Sequence, residues 1–288
     1  MRMCFEVYFE QDNFPVPPDY RRYILSLFKE GLLQQGEKSE KFFHKNFDKN
    51  FSKPFTFSSY IPFKKNSECM VLGRNFIKIF FSTSDYEYLI RLYNGLNKLN
   101  EKLKSTKNVN KSGISKGEEP FKLFGKNFVM DNFQLLPVKK IENEQVTFKT
   151  LSPFLLRNPE DGDYYIIPEG LAGKDFKYKK EVDMQYFKKA MKLSIVSLSK
   201  KYLTMNEDLS EQKLDQNLDK DILLDFENLR VAPVKHGSKN PDHPYDITLP
   251  SLNGLIKVKA KKEILQLLYD IGIGARRSEG FGMLEVVE

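Results

Sequence analysis

One order of elements occurs twice along the chain, and this repeat constrains the fold more than any other feature. Residues 3–10 alternate, placing Met3, Phe5, Val7 and Phe9 on one face with the period of a half-buried strand. Pro15, Pro17 and Pro18 then interrupt the chain, and Asp19 stands where a helix cap belongs. Tyr20, Tyr23, Ile24, Leu27, Phe28 and Leu32 recur at three- and four-residue steps, which predicts an amphipathic helix over 19–34. A second, short helix is expected over 38–47, then strands over 54–62 and 74–82. Ser84 and Glu87 have the spacing of a capping box, and Leu89, Leu92, Leu96, Leu99 and Leu103 form the inner stripe of the helix behind it. A strand region over 121–138 closes the first set. The second set comprises a strand over 146–157, a helix over 182–204, strands over 222–235 and 247–259, a helix over 261–271 and a strand over 281–287.

Each set reads β-α-β-β-α-β, the ferredoxin-like order. The expected class is α+β, with two tandem ferredoxin-like (βαββαβ, RRM-like) domains at residues 1–142 and 143–288. Two stretches fall outside the pattern. Residues 104–119 are rich in Lys, Asn, Ser and Gly and read as a mobile loop, and 206–221, with six acids against two lysines, reads as an exposed connection.

Composition narrows the function classes. Against 39 acidic residues stand 46 Lys plus Arg, a formal charge of +7 that favours polyanions over acidic partners. No apolar run reaches the roughly 18 residues of a membrane span. Arg2, Glu6 and Glu10 fall where a signal peptide would carry its apolar stretch, so the chain reads as soluble and cytoplasmic, without a membrane partner. Cys4 and Cys69 are too few for a disulfide framework and lack metal-ligand spacing. The 24 Phe read as core residues first and as base-stacking groups second.

The most specific motif is the C-terminal run from Ile271 to Gly282, with glycines at 272, 274, 280 and 282 around Arg276, Arg277 and Ser278. Glycines permit positive φ and bring backbone amides close to a phosphate, and guanidinium groups pair with phosphates. A dinucleotide fingerprint needs a helix after its glycines, whereas residues 283–287 read as a strand, and no Walker sequence occurs anywhere. The competing reading of the run is a plain turn from helix to strand. Only His44, His236 and His243 supply imidazole, the side chain that most often moves protons near neutral pH. His236 and His243 lie in a Gly, Asn and Pro-rich stretch that reads as a hairpin tip. His44 lies among Lys41, Lys45, Lys49 and Lys53, an anion site in outline. No metal site and no cofactor are expected.

These residues resemble a known family. The run Gly272-Ile273-Gly274 through Gly280-Phe281-Gly282-Met283 is similar to the signature loop of the Cas6 family, CRISPR-associated endoribonucleases that cut the repeat RNA of a precursor transcript. Thr150-Leu151-Ser152-Pro153, the passage from His44 to Lys53-Pro54-Phe55-Thr56-Phe57-Ser58, and the tandem layout agree with the same family. The resemblance implies metal-independent cleavage, in which the RNA's 2′-hydroxyl attacks the adjacent phosphate to leave a 2′,3′-cyclic phosphate and a 5′-hydroxyl. It assigns proton transfer to His44 and charge stabilisation to Lys53. It places Lys29 where some members carry tyrosine, with Tyr20 and Tyr23 earlier on the same helix. RNA backbone would be held by Gly272, Gly274, Arg276, Arg277, Ser278, Gly280 and Gly282. The implied partner is CRISPR repeat RNA. Action alone, as a homodimer or attached to an effector complex stays open, and the alternative function is a non-catalytic RNA-binding subunit of such a complex.

Overall fold

The computed structural model describes residues 1–36, 41–42, 53–64, 70–109, 120–171, 176, 178–203, 221–237 and 247–287, with backbone alone at 106–109. The alternating N-terminus forms strand β1 (Arg2–Phe9), which buries Met3, Phe5, Val7 and Phe9. Helix α1 (Tyr20–Leu33) buries Ile24, Leu27, Phe28 and Leu32, as its three- and four-residue spacing requires. Then come β2 (Phe55–Tyr60), β3 (Phe76–Thr83), α2 (Tyr86–Val109) and β4 (Phe128–Leu136). The sheet order is β2-β3-β1-β4, with β1 antiparallel to both neighbours.

The second half runs β5 (Gln145–Thr150), β6 (Tyr165–Pro168), β7 (Lys179–Val182), α3 (Met184–Leu203), β8 (Leu223–Val231), β9 (Val234–His236), β10 (Ile247–Leu249), β11 (Leu252–Lys259), α4 (Lys262–Ile271) and β12 (Leu284–Val287). Its main sheet has the order β12-β5-β11-β8. Counted by place in the β-α-β-β-α-β string, both sheets run second, third, first, fourth. The fold is α+β with the ferredoxin-like order repeated in tandem. The chain divides into two compact units, Met1–Lys53 with Ser59–Pro137, and Pro54–Ser58 with Val138–Glu288.

Several expectations shift, each for a local reason. Helix α2 continues to Val109, past the start at 104 of the expected loop, as Lys104 and Lys107 are good helix formers; the rest of that stretch, 110–119, lies outside the described residues. The cap of α2 is Asp85, whose Oδ1 accepts from the Tyr88 amide at 3.0 Å. Glu87 pairs with Arg91 at 2.7 Å instead of closing a box with Ser84. Proline divides the long strands expected over 222–235 and 247–259. Pro233 stands between β8 and β9 and Pro250 between β10 and β11, each lacking the amide a ladder needs. The strand expected over 146–157 leaves the sheet after Thr150, just ahead of Pro153. The parallel pair β6–β7, two four-residue strands, gave no periodic signal. Of the helix expected over 38–47, only 41–42 are described, and they are helical. Of the connection expected over 206–221, all but Asp221 lies outside the described residues.

In the first unit α1 crosses α2 where Gly31 meets Gly95. A Cβ on Gly95 would collide with the Gly31 carbonyl oxygen, so this backbone-to-backbone approach requires glycine. Asn100 of α2 is buried and ties the helix to β4, donating Nδ2 to Met130 O at 2.7 Å and accepting from the Met130 amide at 2.8 Å. In the second unit Phe148, Phe187, Met191, Ile195, Ile256, Leu265 and Leu268 form the centre of one core between sheet and helices. Among the described residues no helix is long and apolar enough to cross a membrane.

Candidate functional site

Helix α4 ends at Gly272 (φ 77°), whose amide donates to Leu268 O at 2.9 Å. From there the chain folds back on itself. The Ile273 amide donates to Gly282 O at 2.9 Å, that of Ala275 to Leu155 O at 2.7 Å, and that of Gly282 to Pro153 O at 2.9 Å. Gly274 and Gly282 both have positive φ, and a Cβ on either would overlap a carbonyl oxygen, that of Leu155 or Ile273. These glycines are therefore needed for protein backbone to approach protein backbone. The expected role, amides left open for a phosphate, does not extend to Gly272, Gly280 and Gly282, whose amides already donate to protein carbonyls.

The segment Thr150–Pro153 is the other half of this lock. Ser152 is buried and its Oγ accepts from the Met283 amide at 2.9 Å, while the Leu151 amide donates to Met283 O at 2.8 Å. Thr56 Oγ1 donates to Phe281 O at 2.8 Å, and Ser58 Oγ to Leu151 O at 2.8 Å. Residues 54–58 belong to the same compact unit as the loop.

The locked loop presents its two arginines oppositely. Arg277 opens a 3₁₀ turn, Arg277–Glu279, and is 4% exposed. Its guanidinium points inward, donating to Ile271 O at 3.0 Å and lying 5.6 Å from the Tyr202 ring centroid. Burial pulls its pKa below the ordinary value, against an upward pull from Tyr202. Arg276 sits in the left-handed region (φ 55°) with its side chain 26% exposed. Its Nε donates to the Tyr165 hydroxyl at 2.6 Å and its Nη1 to Glu279 Oε2 at 2.9 Å, with His236 Nε2 at 3.2 Å. Burial opposes the Arg276 charge, but Glu279 and Tyr165 outweigh it and hold the pKa above the ordinary value. Ser278 is half-buried within the turn.

Sequence reasoning missed Tyr165 and Glu279 and set His236 aside as a hairpin tip. His236 is the last residue of β9, facing Ile247 across the pair with β10. Glu279 was visible as the third residue after Arg276, a spacing that brings two side chains together on a helical turn.

The other expected site residues lie in the first unit. Lys29, half-buried on α1, lines a depression of about 360 Å³ with Asp19, Arg22, Tyr23, Leu25 and Ser26. Asp19 is 5% exposed and pairs with Arg22 at 3.0 Å. Tyr23 sets its ring edge-on to Phe124 at 5.7 Å. Lys53 is half-buried just before β2. His44 lies outside the described residues, as does His243.

Residues 136–286, just over half of the chain and including the whole glycine loop, match the family model described as CRISPR associated protein Cas6, C-terminal. The chain belongs to the Cas6 family. Membership assigns it to CRISPR repeat-RNA processing in general. Solved structures share the fold along the full length. A Cas6-related protein from Pyrococcus furiosus is 19% identical with a TM-score of 0.66, the alignment covering 100% of this chain and 98% of that one. A RAMP protein described as binding different RNA substrates is 15% identical with a TM-score of 0.61 and full coverage of both chains. A Cas6 product complex gives 15%, a TM-score of 0.61 and 99% coverage of each chain. At these identities the likeness is one of fold. No curated protein matches the chain significantly.

Proposed function

We propose that this Cas6 protein is a cytoplasmic, metal-independent endoribonuclease that cuts CRISPR repeat RNA in precursor transcripts. The observation that carries the reading is the family match over 136–286, which contains the glycine loop and its arginines. The relatives described as a product complex and as a binder of RNA substrates support RNA as the partner.

In the proposed reaction the 2′-hydroxyl loses its proton and its oxygen bonds to the adjacent phosphorus. The bond to the 5′-oxygen breaks, and that oxygen gains a proton, leaving a 2′,3′-cyclic phosphate and a 5′-hydroxyl. His44 moves one of these protons, a role worth about 10²–10⁴ in rate. Lys53 faces the extra negative charge of the transition state, and a cation so placed contributes about 10²–10³. Lys29 substitutes, as a catalytic residue, for the tyrosine that some members carry on the first helix. Arg276 contacts RNA backbone, while Arg277 and the glycines hold the loop in shape.

The test uses end-labelled repeat RNA in excess chelator, beside a copy with 2′-deoxyribose at the scissile nucleotide. Cutting of the first and not the second is expected, with His44→Ala slowed at least a hundredfold. A His44→Ala protein that cuts at the wild-type rate overturns the mechanism. Binding without cutting of either RNA favours the non-catalytic subunit, a reading to which lysine at position 29 lends weight.

A further inference from the structure

Arg276 is anchored at two of its three nitrogens and open at the third. Arginine has five N–H donors and no acceptor, so in a hydrogen bond between the two, His236 Nε2 is the acceptor. Tyr165 takes Nε, while Glu279 and His236 take Nη1. Nη2 has no partner among the described residues, and the side chain is 26% exposed. More positive charge stands close by. The Arg157 guanidinium lies 5.7 Å from the centroid of the Tyr165 ring that anchors Arg276. The carboxylate on Arg276 comes from Glu279, which is 33% exposed; among the Arg276 nitrogens it meets Nη1, at 2.9 Å, and it also lies 3.9 Å from His236 Nε2.

We propose that Glu279 is an internal occupant of an anion site on Arg276, and that an RNA backbone phosphate displaces it on binding. The proposal rests on the reading of this chain as a repeat-RNA-binding Cas6 protein. A phosphate can engage Nη1 and Nη2 together, a two-point contact that Glu279 does not make. The exchange also leaves the partly buried guanidinium paired both before and after, so it never stands as an uncompensated charge. Tyr165 and His236 are positioning residues that keep the open edge toward solvent while the third partner, Glu279, is exchanged for phosphate. A tethered carboxylate raises the threshold for capture, which small monovalent anions do not cross and a strand held by neighbouring contacts does.

The sign of one substitution separates this from a structural role. If Glu279 merely braced the loop, neutralising it would weaken RNA binding; as a competitor, its neutralisation strengthens binding. Glu279→Gln keeps an acceptor for Nη1 and the side-chain volume, so the loop retains its shape. Full-length wild type, Glu279→Gln, Arg276→Ala and the double variant are titrated against fluorescent repeat RNA bearing the 2′-deoxy substitution, with anisotropy as readout. Glu279→Gln is expected to bind about two- to fivefold tighter than wild type. The gain should vanish when Arg276 is alanine, because no guanidinium remains to be released. Unchanged or weaker binding by Glu279→Gln overturns the proposal. So does an equal gain in the Arg276→Ala background, which is the mark of a general charge effect. Absence of RNA binding by wild type itself instead sinks the repeat-RNA reading on which the proposal stands.

Discussion

Arg276 and Arg277 are adjacent and chemically identical, and their surroundings give them opposite work. Arg277 is buried against Ile271 O and Tyr202, where it satisfies a carbonyl at the end of α4. Removing it leaves that carbonyl unpaired in a dry place, a loss of about 1–3 kcal/mol. Arg277→Ala should lower the thermal midpoint by several degrees while the folded fraction keeps its RNA affinity. Arg276→Ala should do the reverse, holding the midpoint within about a degree and weakening RNA binding. Calorimetry beside an RNA titration checks both, and the crossed outcome would exchange the two roles. Nothing local to the pair foretells the difference. The glycine spacing announced a special loop, yet the groups that orient Arg276 include Tyr165, separated by 111 residues. His236 was legible as a residue near a hairpin, but its neighbour Arg276 is 40 residues on, and no short-range pattern links them.

At the scale of elements, most of what periodicity implies is present because the period is itself the burial pattern. Met3, Phe5, Val7 and Phe9 are buried in β1 and the leucine stripe of α2 is buried throughout. Boundaries shifted where single residues act through backbone donors: Asp85 rather than Ser84 caps α2, and Pro233 and Pro250 cut two long strands. The crossing of α1 on α2 was not legible, since a glycine inside a helical pattern looks like a weak helix former and nothing more. The geometry gives Gly95 a task. Alanine is intrinsically better in a helix by about 1 kcal/mol, but its methyl group would lie on the Gly31 carbonyl. Gly95→Ala should therefore destabilise the protein by a net of up to about 2 kcal/mol, the overpacking cost less the propensity gain, read as a lower urea midpoint at unchanged slope. A gain in stability would mean that the two helices separate freely and that the crossing does not hold the first unit together.

For the whole molecule the surplus of +7 is modest, and its meaning depends on where cations meet phosphate. If lysines and arginines supply most of the affinity for repeat RNA, binding releases condensed counterions and weakens with salt. The slope is about −0.7 in log affinity per log salt for each phosphate neutralised on a single strand. Three such contacts give a slope near −2, so affinity should fall about 15- to 20-fold between ~50 and ~200 mM salt. Removing Arg276 should flatten the slope by about 0.7 if it neutralises one phosphate. The Arg277 guanidinium, buried against protein, should leave the slope untouched when replaced, even where stability drops. Anisotropy titrations of the three proteins at four salt concentrations separate these cases. A flat wild-type line would transfer the affinity to base stacking and hydrogen bonds, and the phosphate assignment of Arg276 would fall with it. A steep line that Arg276→Ala fails to flatten would keep the electrostatic account but move the phosphate contacts to other lysines and arginines.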